Sequence, residues 1–511
     1  MAYMCADSGN LMAIAQQVIQ QQQQQQQHQR HHHHHLPPPP MPLPLPLPPR
    51  QAPPVPPAPA PPHGQIPAAS LPYGGGAWPQ ADHFFPDAFA GTSAADAVFS
   101  DLAAAADFDS DVWMDSLIGD APVFADSDLE RLIFTTPPPP VPSLLACSRT
   151  AAADQGLAAV ELVKVRAAAS DDGDPAERVA FYFADALARR LACGGGAQPS
   201  TAVDARFASD ELTLCYKTLN DACPYSKFAH LTANQAILEA TGTATKIHIV
   251  DFGIVQGIQW AALLQALATR PGEKPSRVRI SGVPSPYLGP KPATSLAATS
   301  ARLSDFAKLL GVDFEFVPLL RPVHELDRSD FSVEPDETVA VNFMLQLYHL
   351  LGDSDEPVRR LLRLVKSLDP SVVTLGEYEV SLNRAGFVDR FANALLYYKP
   401  VFESLDVAMP RDSPERVRVE RCMFGERIRR AIGPEEGEER TDRMAASREW
   451  QTLMEWCGFE PVKFSNYAMS QADLLLWNYD SKYKYSLVEL PPAFLSLAWE
   501  KRPLLTVSAW R

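Results

Sequence analysis

The residues best suited to chemistry lie in one segment, Ile247–Trp260, with the sequence IHIVDFGIVQGIQW. An apolar run ends at Asp251, a glycine turn follows at Gly253, and a helix is predicted to begin at Gly257. In an α/β sheet this arrangement brings a carboxylate and free backbone amides to the carboxyl edge of the strands, where nucleotides bind. A working methyltransferase would use this turn to bind the methionine moiety of S-adenosylmethionine.

The next predicted strand lacks the second residue that this cofactor needs. A nucleotide site places a carboxylate at the end of the second strand, where it binds the ribose hydroxyls. Here that strand, RVRISGVPSP, ends at Val283-Pro284 without one. We therefore interpret Asp251, Gly253 and Gly257 as a retained scaffold that has lost its chemistry, and we predict no cofactor. Binding of an unidentified small ligand in a residual pocket stays open.

Structural roles are predicted for the other conspicuous residues. Asp251 is expected to cap the following helix or to accept a structural hydrogen bond. His248 lies within a predicted buried strand and is expected to be a core histidine, and Trp260 and Trp510 are expected to pack in the core. The LxxLL pattern of Leu347–Leu351 is typical of co-regulator helices. Because it directly follows a predicted strand, we interpret it as a core-facing turn.

A candidate nucleic-acid site is the arginine-rich stretch from Arg411 to Arg430. Within it, Arg427, Arg429 and Arg430 are the candidates for contact with phosphates. Glutamates interrupt the stretch, and such mixed charge is more typical of a solvated helix with internal ion pairs. Both interpretations stay open.

Strands and helices alternate in the part of the chain that carries these residues. Predicted strands cover Lys246–Asp251, Arg277–Val283, Asp313–Pro318, Thr338–Phe343 and Ser371–Gly376, and then Tyr485–Leu490, Phe494–Trp499 and Leu504–Trp510. Helical patterns between the first five strands imply a parallel sheet with right-handed crossovers. We predict an α/β fold, with a methyltransferase-like Rossmann core in residues 246–511 and a C-terminal antiparallel strand pair.

Two further regions precede this core. Amphipathic patterns in residues 151–245 predict an N-terminal helical cap. Residues 1–150 contain a glutamine tract (20–27), a histidine tract (31–35) and a proline-rich stretch (36–62). Such sequence buries too little apolar surface to offset the entropy of ordering, so we predict that residues 1–150 are a disordered low-complexity arm.

Residues 82–134 of this arm combine twelve acidic residues with many large apolar side chains. Mutual repulsion of the carboxylates keeps the chain open and leaves the aromatic rings available to a partner's groove. The strongest piece is FDSDVWMDSLI, with the anchors Phe108, Val112, Trp113 and Leu117. This composition is typical of an activation segment, and an acidic linker is the alternative.

Composition argues against several classes of function. The chain has 45 Lys and Arg against 61 Asp and Glu, a formal net charge of −16, unlike a protein that binds DNA mainly through phosphates. The 7 cysteines form no CxxC pair, so no metal site is predicted, and their odd number suggests a reducing compartment. No apolar run approaches the roughly 18 residues of a membrane span, so no membrane contact is expected.

These motifs together resemble the GRAS family of plant transcriptional regulators, closest to its Scarecrow-like subgroup. IHIVDFGIVQGIQW resembles the family's VHIID motif, RFANALLYYKPVFESLD with Glu439-Arg440 resembles its PFYRE region, and the ending RPLLTVSAWR resembles its SAW signature. The flanking helical patterns match its two leucine-rich regions, so the resemblance covers about residues 150–511. Val250 and the stretch from Arg440 to Arg443 depart from the family pattern without threatening the fold.

The resemblance implies a function in the nucleus. Members of the family regulate transcription together with other transcription regulators and co-activators, as homo- or heterodimers and with variable direct contact to DNA. The residues themselves argue against an enzyme, because the second strand lacks its carboxylate and the sequence contains no Gly-x-Ser-x-Gly, HExxH or P-loop motif. The DELLA and TVHYNP motifs are missing from the sequence, so gibberellin-type regulation is not assigned. The sequence thus favours a transcriptional regulator, and a methyltransferase relative is the alternative.

Overall fold

The computed structural model describes residues 140–193, 209–270, 272–289, 291–432, 442–479 and 483–511. The low-complexity tracts, the activation anchors Phe108, Val112, Trp113 and Leu117, and Glu439-Arg440 all lie outside these ranges. The first described helix, α1, spans Pro140–Ala153, so helical structure begins before residue 150, where the arm was predicted to end. Proline suits the first turn of a helix, and the sequence LLACSRTAAA favours its continuation.

Four more described helices precede the first strand. They are α2 (Gln155–Ala167), α3 (Pro175–Cys193), α4 (Ser209–Ala222) and α5 (Tyr225–Ala240). Helices α1, α2 and α3 pack on one another, whereas α5 packs against the sheet. The predicted cap of residues 151–245 is therefore divided between two places in the fold, because an amphipathic pattern marks a buried face without saying what covers it.

One mixed sheet unites the nine strands of the described residues. The strands are β1 (Lys246–Ile254), β2 (Arg277–Pro284), β3 (Phe314–Pro318), β4 (Thr338–Met344), β5 (Val372–Tyr378), β6 (Pro461–Val462), β7 (Tyr485–Leu490), β8 (Phe494–Trp499) and β9 (Arg502–Trp510). Their order is β3-β2-β1-β4-β5-β9-β8-β7, with β6 paired to β9. The first five are parallel and the last three antiparallel. The predicted α/β fold is confirmed, although the antiparallel part contains more than the predicted strand pair.

The remaining helices connect and cover these strands. They are α6 (Ile258–Thr269), α7 (Pro292–Leu310), α8 (Glu356–Ser367), α9 (Phe387–Ala408), α10 (Pro414–Val419), a π-helical turn (Glu420–Gly425), α11 (Glu426–Ile432), α12 (Ser447–Trp456) and α13 (Asn466–Trp477). Helices α9 and α11 pack on α3, so the layer of helices outside the sheet joins two distant parts of the chain. None of the described helices is long and apolar enough to cross a membrane.

A buried ionic cluster holds this helical layer together. The Arg178 guanidinium on α3 donates to Asp406 Oδ1 on α9 at 2.8 Å and to Glu420 Oε1 in the π-helical turn at 3.1 Å. Arg416 on α10 donates to the other Glu420 oxygen at 2.8 Å. The side chains of Arg178, Arg416 and Glu420 are fully buried. A buried charge needs its partners to offset desolvation, so the cluster fixes how α3 meets the later helices.

Candidate functional site at the carboxyl edge of the parallel strands

Asp251 lies near the carboxyl end of β1, opposite Gly282 of β2 and Asn342 of β4. Its Oδ2 accepts a hydrogen bond from Trp260 Nε1 at 2.7 Å, and its Oδ1 accepts one from Asn342 Nδ2 at 2.9 Å. Burial raises the pKa of the Asp251 carboxyl to about 6, although these two hydrogen bonds act in the opposite direction. Of the two structural roles predicted for Asp251, the hydrogen bond is confirmed. Helix capping is wrong, because Gly257 is the N-cap and no side chain bonds there.

Asn342 extends this contact into a buried polar network. Its Oδ1 accepts from Thr374 Oγ1 on β5 at 2.9 Å and from Gln259 Nε2 on α6 at 3.3 Å. Asn234 Nδ2 on α5 in turn donates to the backbone oxygen of Gln259 at 2.9 Å. The network joins β1, β4 and β5 to α5, which precedes β1 in the chain, and to α6, which follows it. This network was not predicted from the sequence. The one residue that could have indicated it is the asparagine inside the apolar run TVAVNFM.

The glycine turn after Asp251 packs against protein side chains. Gly253 has φ 107°, and a β-carbon at this position would overlap the Gln346 side chain. Gly257 has φ 69°, and a β-carbon there would press on Leu303 and Thr299 of α7. The positive φ angles explain why both positions need glycine. The space beside the turn, where a cofactor would approach the backbone, is thus occupied by the protein itself.

Other contacts close the same turn from the side of α7. Thr299 Oγ1 donates to the backbone oxygen of Val255 at 2.9 Å, and Arg302 donates to that of Gln256 at 3.2 Å. Gln346 Nε2 donates to Ser285 Oγ, just beyond β2, at 3.3 Å. A hydroxyl therefore stands near the strand end where a nucleotide site would place its carboxylate. With both Asp251 oxygens engaged and Gln346 against Gly253, these residues do not fit S-adenosylmethionine.

Glu377, near the carboxyl end of β5, positions the turn that carries Gln346. Its Oε1 accepts the backbone N–H groups of Gln346 at 3.1 Å and Leu347 at 2.8 Å. Burial raises the pKa of the Glu377 carboxyl to about 8, against the opposing effect of these backbone hydrogen bonds. No sequence pattern singles out this glutamate, because its partners are backbone amides brought there by the fold.

Arg427 lies in a buried cluster of tyrosines and not on the surface. Only 5% of the residue is exposed, and its guanidinium donates to the hydroxyls of Tyr378, Tyr216 (3.1 Å) and Tyr287 (3.3 Å). The same guanidinium lies 4.7 Å from the centre of the Tyr378 ring, a distance typical of a cation–π contact. The prediction that Arg427 contacts phosphates is therefore wrong, because its side chain points into the protein from α11.

Arg429 and Arg430 are partly exposed, and each has carboxylate partners. Arg429 pairs with Glu426 and, at 3.3 Å, with Asp185 of α3. Arg430 lies 3.6 Å from Asp442. These pairs agree with the mixed-charge interpretation of the stretch, and contact of Arg429 or Arg430 with phosphates stays a prediction.

The remaining sequence-predicted residues have structural roles. His248 Nε2 lies 2.8 Å from Ser281 Oγ and its Nδ1 3.1 Å from an Arg279 nitrogen, and burial lowers the pKa of His248 to about 4. Trp260 and Trp510 are buried. Leu347–Leu350 forms a 3₁₀ helix in which Leu347 and Tyr348 are buried. The core histidine, the two packing tryptophans and the core-facing turn are all confirmed.

The similarity of this chain to known proteins covers all the strands of the sheet. Residues 141–511 match the model of the GRAS domain family. The chain is 73% identical to SCARECROW-LIKE protein 7 of Oryza sativa subsp. japonica, over 100% of both chains. It is 35% identical to Scarecrow-like transcription factor PAT1 of Arabidopsis thaliana, over 72% of this chain and 75% of that protein. The crystal structure of SCL7 from Oryza sativa is similar with a TM-score of 0.69 and 82% identity, over 73% of this chain and 99% of that one.

Proposed function

The chain belongs to the GRAS domain family, and on that premise we propose that it is a nuclear transcriptional regulator that uses a Rossmann-like sheet as a docking scaffold. The observation that carries this proposal is the closed turn beside β1. Asp251 is held by Trp260 and Asn342, and Gln346 lies in the space beside Gly253. These contacts of the turn stabilise the sheet. They therefore favour a structural scaffold over a catalytic site.

Partner recruitment is the second part of the proposal. The acidic-aromatic segment of residues 82–134 contacts co-activators through Phe108, Val112, Trp113 and Leu117, because its like charges keep these side chains in water. The folded part docks other transcription regulators and forms homo- or heterodimers. Both roles are supported by a relative that is named a Scarecrow-like transcription factor.

DNA contact is expected to depend on a partner or on a small local surface. The net charge of −16 disfavours binding through phosphates alone, since the electrostatic part of DNA binding comes from Lys and Arg that neutralise phosphates. Arg429 and Arg430 remain the candidates for such a surface, and a phosphate would have to compete with their carboxylate partners.

A tethered reporter assay tests the recruitment. The full chain is fused to an unrelated DNA-binding domain and compared with a variant in which Phe108, Val112, Trp113 and Leu117 are all alanine. We expect the variant to lose at least about 80% of the reporter output, because these side chains supply most of the apolar contact with a co-activator.

The proline-rich stretch offers a matched control. Alanine at Leu43, Leu45 and Leu47 removes large apolar side chains from a part of the arm that has no carboxylates, and the output should stay unchanged. Equal loss in both variants, or full output from the quadruple variant at equal protein level, would remove the activation segment from the account.

A further inference from the structure

A small polar cavity lies where β5, β9 and α12 meet. Its volume, measured as the room open to the centre of a water molecule, is about 10 Å³. A single water molecule needs about this much room. The polar residues that line the cavity are Glu377, Glu379, Ser447, Trp450, Thr506 and Ser508.

Two atoms of these residues are buried without a hydrogen-bond partner. They are Oε2 of Glu377 and Nε1 of Trp450, and neither has a partner in the described part of the chain. Only 3% of Glu377 and 2% of Trp450 are exposed, so bulk solvent does not solvate them. Buried polar atoms that lack a partner destabilise the folded state. The cavity that both residues line is therefore the place for a shared partner.

The contacts of Glu377 show which kind of partner is needed. Its Oε1 accepts the backbone N–H groups of Gln346 and Leu347, so the proton of the neutral carboxyl group belongs on Oε2. Burial raises the pKa of this carboxyl to about 8, and the group is therefore mostly protonated at neutral pH. The cavity is then faced by two donors, the O–H of Glu377 and the N–H of Trp450. Both require an acceptor.

Glu379 and Ser508 supply acceptors to the same cavity. Three groups donate to Glu379, which are the N–H and the hydroxyl of Ser447 and the hydroxyl of Thr506. A carboxylate can accept about four hydrogen bonds, so one more can be added. Ser508 Oγ accepts from Trp510 Nε1 at 2.8 Å and keeps a second lone pair.

We propose that this cavity binds one ordered water molecule that bridges the two donors to the two acceptors. The water oxygen accepts from Glu377 Oε2 and Trp450 Nε1, and its two hydrogens are donated to Glu379 and Ser508. Buried waters typically make about three hydrogen bonds and at most about four. The lining of the cavity therefore satisfies the full bonding capacity of one water.

Other occupants fit this lining less well. A metal cation is bound by acceptor oxygens, whereas Glu377 and Trp450 present donors to the cavity. An anion would lie beside Glu379, to which Ser447 and Thr506 donate, and like charges repel. Small organic ligands occupy pockets of about 300–1,000 Å³, far larger than this cavity.

The bound water supports the closed turn beside β1. It completes the hydrogen bonds of Glu377, whose other oxygen holds the turn that carries Gln346 against Gly253. It also joins β5 to α12 and β9, which come from distant parts of the chain. Because this role is structural, the inference holds or fails independently of the regulation of transcription proposed above.

A crystal structure of residues 141–511, at a resolution that shows ordered waters, tests the inference. The SCL7 chain that crystallised corresponds to 73% of this chain at 82% identity, so this part is expected to fold without the arm. We expect one peak of electron density at about 2.6–3.2 Å from both Glu377 Oε2 and Trp450 Nε1. A cavity without a peak, a direct hydrogen bond between these two side chains, or an ion with ligands at about 2.0–2.6 Å would overturn the proposal.

Trp450→Phe tests the part that the indole plays. The substitution keeps an aromatic ring but removes the N–H group, so the water loses one of its two donors. We expect its occupancy in crystals of the variant to fall below about half of the wild-type value. Trp456→Phe is the matched control, because Trp456 ends the same helix but is 55% exposed, and the water should stay at full occupancy. Full occupancy in Trp450→Phe, or an equal loss in both variants, would overturn the assignment of Trp450 as a donor to the water.

Discussion

Arg178→Met should lower the free energy of unfolding by about 3–5 kcal/mol, the usual cost of removing one partner from a buried ion pair. Methionine fills much of the same volume but donates no hydrogen bond. Glu420 then keeps only Arg416 as a partner, and the backbone oxygen of Gly173 loses its bond from Arg178 (2.8 Å). Urea unfolding followed by circular dichroism measures the change.

The same helix provides the control for this prediction. Arg189 on α3 pairs with Asp185 at 3.0 Å, but its side chain is 49% exposed. Because exposed pairs contribute little, Arg189→Met should change stability by less than about 0.5 kcal/mol. Similar losses in both variants would show that the Arg178 cluster does not hold the helical layer together.

Glu377→Gln should stabilise the protein at alkaline pH and have little effect in acid. The pKa of Glu377 is about 8 in the folded protein against an ordinary value of 4.5. The folded state therefore binds more protons than the unfolded state between these values, and wild-type stability falls as pH rises from 4.5 to 8. Glutamine carries no charge, and its oxygen still accepts from Gln346 and Leu347. We expect a gain of about 2–4 kcal/mol at pH 9 and almost none at pH 5.

Unfolding of both proteins at pH 5, 7 and 9 measures this difference. Glu356→Gln is the control, since the Glu356 side chain is 62% exposed and its replacement should leave the pH dependence of wild type unchanged. A gain that is equal at all three pH values, or a loss at pH 9, would contradict the assignment of Glu377 as a buried group that resists ionisation.

The sheet could be predicted from the sequence because its parallel strands are buried on both faces. Such strands are nearly continuous apolar runs, and in β1 and β2 almost every residue is buried. The glycine turn after β1 was predictable for a related reason, because positive φ angles select glycine. The structural role of Asp251 followed from the missing carboxylate at Val283-Pro284.

The partners of these residues could not be predicted, since they come from distant parts of the chain. Asn342 meets Asp251 across 91 positions, and Gln346 reaches Gly253 only because Glu377 holds its turn. Arg427 and Arg429 look alike in the sequence. They differ because one points from α11 into the tyrosine cluster and the other along the helix surface. A helix of seven residues gives too little periodicity to separate these two directions.

The packing of the helices outside the sheet could not be predicted from the sequence for the same reason. The patterns of α1, α3 and α5 are all amphipathic, yet α5 covers the sheet, whereas α1 packs on α9 and α3 packs on both α9 and α11. The pairs of Arg178 with Asp406 and Glu420 span 228 and 242 positions. Their identity depends on the finished fold, whereas the spacing of apolar residues depends only on local structure.

The most direct test of the central claim is calorimetric titration of the full chain with S-adenosylmethionine. We expect no binding heat up to about 1 mM ligand, because Gln346 fills the turn and Asp251 is engaged. This limit corresponds to less than about 4 kcal/mol of binding free energy. A dissociation constant in the micromolar range, lost in a folded Asp251→Asn variant, would contradict this expectation and restore a cofactor site to this edge of the sheet.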